Sequence, residues 1–350
     1  MDNSKLGVAI VGYGGMGKWH TKTIAKIDEA ELIGIYDIDP ARGLEAQENG
    51  IRAFSSLEEL LDTPGIDVVT VAIPNDCHLS TACQIMDRGI GVVVEKPVAL
   101  SSAEVEELMR CSKKNGVLFT VHQNRRWDED YLVTKKLYDE NTLGPIFNIE
   151  SRVHGSRGIP GDWRNRKAQG GGMVLDWGVH LLDQMDQMMG DRKLISVCAQ
   201  LSNVTNEEVD DGFRAIFLYE SGLNYLVEVG TSNFINLPRW YVQGENGSAV
   251  VQDWERNGEI VMVSDWERRD AVPVVTAAGL TKTMAPRTEE TIERFPLPDL
   301  SADIRDYYQN IRAVIKDGAE PIVKQEEVLR VMKIMEAIFR SAEENQVVKF

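Results

Sequence analysis

The rhythm of apolar and polar positions changes once along this chain, near residue 124. Before that point, short and almost continuously apolar runs alternate with helix-patterned stretches. Leu6–Val11, Leu32–Tyr36, Val68–Ile73, Gly91–Glu95 and Val117–Val121 read as strands. Val68–Ile73 (VVTVAI) is the plainest, because a strand covered on both faces of a parallel sheet needs no alternation. Between them, Met16–Ile27, Pro40–Glu48, Leu79–Arg88 and Ala103–Lys114 have helical character. Strands alternating with helices of this length predict βαβ units and a doubly wound parallel sheet.

After residue 124 one helix is expected at Tyr131–Asn141, then strand-like runs spaced by turns. These are Ile146–Val153, Leu194–Leu201, Phe213–Tyr219, Asn224–Val229, Tyr241–Gln243 and Ile260–Val263. They predict a large, mostly antiparallel sheet, interrupted by a helix around Val174–Met189. Residues 265–298 are polar, with four prolines, and read as loops. Helices at Ala302–Lys316 and Glu326–Glu344 close the chain. The fold class is therefore α/β with two domains. Residues 1–124 carry the parallel sheet, and residues 125–350 form a second domain around the mostly antiparallel one.

Composition narrows the partners. The 350 residues include 38 Lys and Arg against 55 Asp and Glu, a net charge of −17. So acidic a chain repels phosphate backbones and anionic lipid, so neither nucleic acid nor membrane is an expected partner. No apolar run approaches the roughly 18 residues of a spanning helix. The four cysteines form no CxxC pair, which fits a reducing cytoplasm and no zinc site. His20, His78, His122 and His154 fall in no ligand spacing, so no metal is expected.

Residues 12–17 read Gly-Tyr-Gly-Gly-Met-Gly, a G-x-G-x-x-G between an apolar strand and a helix. That context makes it a dinucleotide signal. Gly12 suits the tight turn, Gly14 the close approach of a pyrophosphate, and Gly17 the packing of helix on strand. Asp37 ends the second strand, where a carboxylate accepts from both ribose hydroxyls and repels a 2′-phosphate. NAD is thus expected ahead of NADP, although Arg42 stands near enough to meet a phosphate.

Two further places carry chemistry. Glu95-Lys96-Pro97 follows the fourth strand, at the carboxyl edge where such sheets bind ligands. Asp176 and His180 are spaced i, i+4, so a helix puts them on one face. A carboxylate beside an imidazole raises its basicity and makes a general base for a hydroxyl proton. The polar and aromatic stretches His122–Trp127 and Gly161–Arg164 suit a sugar ring, whose C–H face packs on tryptophan.

Together these motifs resemble the glucose–fructose oxidoreductase / inositol dehydrogenase / rhizopine catabolism (Gfo/Idh/MocA) family. The resemblance rests on GYGGMG with His20, Pro74-Asn75 with His78, Glu95-Lys96-Pro97, Arg125-Arg126-Trp127-Asp128, and Gly170–Gly172 followed by Asp176 and His180. It implies an N-terminal Rossmann domain and, over residues 125–350, a substrate-binding and oligomerisation α/β domain whose open sheet makes a homodimer or homotetramer contact. It implies Lys96, Asp176 and His180 as a catalytic triad, often with a cis peptide before Pro97. The cofactor is implied at Gly12, Gly14, Gly15, Met16, Gly17, Asp37, Pro74, Asn75, His78, Glu95 and Lys96. The substrate is implied at Lys96, Asn124, Arg126, Trp163, Arg164, Asp176 and His180. The stretch Gln123–Asp128 with Trp163-Arg164 looks most like the scyllo-inositol dehydrogenase-like branch, beside glycoside 3-dehydrogenases. Some members of that branch use NADP, from which Asp37 departs.

The implied activity is reversible oxidation of a secondary hydroxyl of a sugar, glycoside or inositol. Two alternatives stand beside it. One is an enzyme with tightly held NAD running an internal oxidation–reduction cycle, giving glycoside cleavage or epimerisation. The other is a non-catalytic NAD-dependent sensor on the same fold.

Overall fold

The computed structural model describes residues 4–268 and 272–350. Its first half is a five-stranded parallel sheet. The elements are β1 (Leu6–Val11), α1 (Gly15–Ile24), β2 (Ala30–Tyr36), α2 (Pro40–Glu48), α3 (Leu57–Leu61), β3 (Val68–Val71), α4 (His78–Met86), β4 (Gly91–Val94), α5 (Ser102–Asn115) and β5 (Phe119–Val121). The strand order is β2-β1-β3-β4-β5. Every residue of β1, β3, β4 and β5 is buried, which is why these strands read as unbroken apolar runs. Local chemistry sets the helix ends. Ser101 accepts from Glu104 N–H to cap α5, and Gly116 ends it at φ 63°.

The second half is built on a nine-stranded sheet. Its elements are α6 (Glu129–Asp139), β6 (Ile146–His154), α7 (Val179–Met189), β7 (Leu194–Ser202), β8 (Gly212–Tyr219), β9 (Asn224–Gly230), β10 (Trp240–Gly244), β11 (Gly247–Val251), β12 (Gly258–Val263), β13 (Val274–Thr276), β14 (Gly279–Thr281), β15 (Ile292–Phe295), α8 (Arg305–Asp317), α9 (Gln325–Glu344) and β16 (Val348–Lys349). The order is β15-β12-β11-β10-β6-β9-β8-β7-β16, with β13 and β14 a separate hairpin. Only β6 and β9 pair parallel within it. β8 alternates buried and exposed residues, as a sheet covered on one face requires.

The region expected to be loops, 265–298, holds β13, β14 and β15. Their residues are almost all exposed, so no apolar pattern marked them. β15 is an edge strand held by backbone pairing with β12. Nor is Val174–Met189 a plain α-helix, since Val174–Gly178 is a turn of π-helix leading into α7.

The closing helices return to the first sheet. Tyr308 of α8 reaches Thr70 of β3 at 2.9 Å, and Lys316 reaches Asp67 at 2.8 Å. Thr120 of β5 donates to the Val323 carbonyl ahead of α9 at 3.0 Å. α8 thereby runs alongside the parallel sheet, from Thr70 within β3 to Asp67 ahead of it, while the turn at Asp176 stands at the carboxyl edge beside Lys96.

Candidate active site

The glycine loop is shaped for a dinucleotide. Gly12 sits at φ +96°, and a Cβ there would lie 2.2 Å from the Ala72 carbonyl oxygen. A Cβ on Gly17 would lie 2.0 Å from the Gly12 carbonyl oxygen. Gly14 and Gly15 differ: a Cβ on either meets nothing within 4 Å. The first pair are bare because strand, loop and helix touch; the second pair face open space beside the start of α1. Gly14 caps that helix without any side-chain acceptor, leaving its first N–H groups for an anion. The Asp37 carboxylate accepts from Tyr13 N–H at 2.6 Å and from Asp39 N–H at 2.9 Å, so it is held against the loop. Arg42 is turned to Glu45 at 3.3 Å.

Lys96 stands two residues past β4, and its peptide to Pro97 is cis. Its Nζ donates to Asp176 Oδ1 at 2.9 Å and to the Asp176 carbonyl at 3.0 Å. The other carboxylate oxygen of Asp176 accepts from Arg164 Nε at 2.9 Å. Burial pushes the Asp176 carboxyl up, but Lys96 and then Arg164 outweigh it and hold it below the usual range. This corrects the expected Asp–His pair: both oxygens of Asp176 face cations. His180 Nδ1 is buried and has no hydrogen-bond partner among the described residues. Burial first, then the charges of Lys96 and Arg125, hold the His180 pKa well below its ordinary 6.5. The imidazole is thus neutral at physiological pH.

The triple glycine explains how Arg164 arrives. A Cβ on Gly171 would lie 2.4 Å from the Arg164 carbonyl oxygen, and one on Gly172 would lie 2.2 Å from Asp210 Oδ1. The loop carrying Trp163 and Arg164 can lie against the π turn only because those side chains are missing. Trp163 stacks under the Arg164 guanidinium, 4.6 Å from the ring centroid. Asn75, after β3, donates to the Gln169 carbonyl at 2.9 Å and ties the same loop to the parallel sheet.

Other expected site residues are placed elsewhere. Arg126, expected on the substrate wall, is buried and donates to both oxygens of Asp183 at 2.8 and 2.6 Å. It joins the segment after β5 to α7, and breaking such a buried pair costs about 3–5 kcal/mol. Its polar and aromatic context, next to Trp127, reads as a ligand wall and hid a structural role. Asn124 is half-buried, with Oδ1 buried and unpartnered among the described residues. Pro74 and Met16 are exposed at the loop edges. The His78 ring spans the carbonyls of Ile73, at 3.0 Å, and Pro97, at 3.1 Å, joining two strand-end turns.

Glu95 is the centre of a buried cluster that spacing did not reveal. Its Oε1 accepts from His20 Nε2 and from His122 Nδ1, each at 2.8 Å. Its Oε2 accepts from the Lys96 backbone N–H at 3.1 Å. Tyr308 donates to His20 Nδ1 at 2.8 Å. The ligand-capable atoms of His20, Glu95 and His122 lie within 4.8 Å of one another, but each is already used in a direct hydrogen bond. Burial pushes the Glu95 carboxyl up, and His122 and His20 outweigh it, so it rests well below the usual range.

Comparison with known proteins places this geometry. A model described as "Oxidoreductase family, NAD-binding Rossmann fold" matches residues 6–123. A second, "Oxidoreductase family, C-terminal alpha/beta domain", matches residues 135–350. The chain is similar to scyllo-inositol 2-dehydrogenase (NADP(+)) of Bacillus subtilis, 27% identical over 99% of this chain and 96% of that protein. A shorter likeness, 27% identical over 57% of this chain and 58% of the other, joins it to D-glucoside 3-dehydrogenase of Escherichia coli. A solved NAD-binding protein from Listeria innocua superposes with TM-score 0.95 at 44% identity, covering 99% of this chain and all of that one.

Proposed function

The chain belongs to the Gfo/Idh/MocA oxidoreductase family, and from that premise we propose that it reversibly oxidises a secondary hydroxyl of a sugar, glycoside or inositol to a ketone, with NAD as its cofactor. The observation that carries this reading is Lys96, at the carboxyl edge of the parallel sheet, joined at 2.9 Å to Asp176 of the π turn that leads to His180. The parallel sheet and the helix of α7 meet there, each bringing part of one acid–base set.

The residues divide the work. Lys96 has three N–H donors and uses two on Asp176. The third donates to the substrate hydroxyl oxygen and stabilises the negative charge that develops on it. Asp176, braced by Arg164, fixes where that ammonium stands. His180 is neutral, and its imidazole takes the hydroxyl proton through Nε2, since Nδ1 is shut away from solvent. The first N–H groups of α1, beside Gly14 and Gly15, hold the pyrophosphate, and Asp37 holds the ribose hydroxyls and repels a 2′-phosphate. NAD, when bound, supplies the hydride acceptor that no side chain provides.

The reading includes a cytoplasmic homo-oligomer. Ile216 and Leu218, projecting outward from β8, are 47% and 38% exposed, which supports a contact through that sheet face.

The test is NADH or NADPH formation by the purified protein on a panel of inositols, free hexoses and aryl or alkyl glucosides. Sustained turnover with NAD on one class is expected. Lys96→Ala should lower kcat by about a hundredfold or more while calorimetry shows NAD binding retained. Full turnover in that variant would sink the assigned role.

A further inference from the structure

Beside His180 stands a row of rings that the mechanism above leaves unused. The Trp177 ring packs edge-on to the His180 imidazole, with 5.8 Å between centroids. Trp254, from the turn between β11 and β12, packs 6.0 Å from Trp177 and is 46% exposed. The row runs outward from the base to solvent and joins elements from two distant parts of the chain.

Two arginines brace it. The Arg125 guanidinium lies 4.2 Å from the Trp177 centroid and 5.3 Å from that of Trp254. Arg239 lies 3.9 Å from the Trp254 centroid. Both charges are already matched, Arg125 by Asp128 at 2.9 Å and Arg239 by Asp130 at 2.6 Å. The wall is therefore poor at holding a phosphate or carboxylate and suited to the C–H face of an uncharged ring. Stacking between guanidinium and indole fixes the ring planes in advance, which lowers the ordering cost of binding. Arg125 Nε and Asn124 Oδ1 are buried and unpartnered among the described residues. From His180 to Trp254 the row comprises two ring-to-ring spacings in succession, 5.8 and 6.0 Å.

We propose, resting on the dehydrogenase reading, that Trp177 and Trp254 form a second-ring subsite, so that the substrate is a glycoside: one sugar ring is oxidised at His180 while an uncharged ring attached to it packs on Trp254. Free inositols and hexoses meet His180 and Trp177 but do not reach Trp254.

The experiment uses full-length protein, Trp254→Ala and Trp254→Phe. Phenyl glucoside is the two-ring substrate, and methyl glucoside and an inositol are the one-ring substrates. The wild type should show its highest kcat/KM on phenyl glucoside. Trp254→Ala should lose roughly tenfold more kcat/KM on phenyl glucoside than on methyl glucoside, chiefly through KM. Trp254→Phe should recover most of it. Equal losses on both glucosides, or a wild type that prefers the inositol, would overturn the subsite. Calorimetry of phenyl glucoside binding in the presence of NADH decides independently of turnover. Weaker binding by Trp254→Ala is expected, and unchanged or absent binding in both proteins rejects the subsite. No NADH formation from any substrate would reject the dehydrogenase reading instead, with the calorimetric result still standing.

Discussion

Glu95 and Asp176 are both buried carboxylates that touch Lys96, and they do opposite things with it. Glu95 accepts from the Lys96 backbone N–H and from two imidazoles in a region closed by Trp19, Tyr307 and Tyr308. Asp176 accepts from the Lys96 ammonium and from Arg164, a half-buried cation on a surface loop. Burial raises both carboxyls, and in both the partners win. The partners differ in kind. Imidazole N–H groups hold Glu95 in a buried scaffold, whereas the cations on Asp176 are partly exposed, 16% for Lys96 and 29% for Arg164. A buried acid with a displaced pKa therefore marks function only when its partners can also reach a ligand.

Three variants would break or sharpen this contrast. The largest effect is expected for Asp176→Asn, which should lower kcat by about a hundredfold with folding retained. Near-normal turnover there would erase the distinction. Glu95→Gln should act mainly on stability, by about 2 kcal/mol, the scale of hydrogen bonds to a charged group, read by urea unfolding. The folded pKa of Glu95 lies below its unfolded value near 4.5. Its stabilisation is therefore present above that value and is lost as pH falls through the folded pKa. The gap between wild type and variant should be widest near neutrality and close in acid. A gap that widened in acid would contradict the assignment.

The smallest effect concerns His180. Arg125 is one of the charges that hold its pKa down, after burial and Lys96. Arg125→Leu should move the imidazole titration, followed by proton NMR, upward toward 6.5. A downward shift, or none, would show that Arg125 does not act on this ring.

Much of the parallel half was legible in the chain because its rules are local. Continuous burial made β3 and β4 apolar along their length. The demands on Gly12 and Gly17 come from atoms within that loop or in the adjoining turn at Ala72. In the second half, alternation revealed β8 and β9, but β15 carries almost no buried residue and was invisible. The i, i+4 spacing of Asp176 and His180 was read as a pair. A π turn and the arrival of Lys96 and Arg164 turned the carboxylate away instead.

The amino-acid order by itself determined two kinds of sheet, a glycine loop with an acid at the end of the next strand, and a lysine at the edge of β4. Each follows from periodicity, backbone freedom or strand ends, which act within a few residues. Only the tertiary structure decided that His20, Glu95, His122 and Tyr308 form one cluster, that Arg126 is spent on Asp183, and that Trp177 meets Trp254. Those meetings depend on strand order and on α8 returning across the first sheet. The desolvation and pairing energies that fix each charge exist only once residues from different elements are buried together.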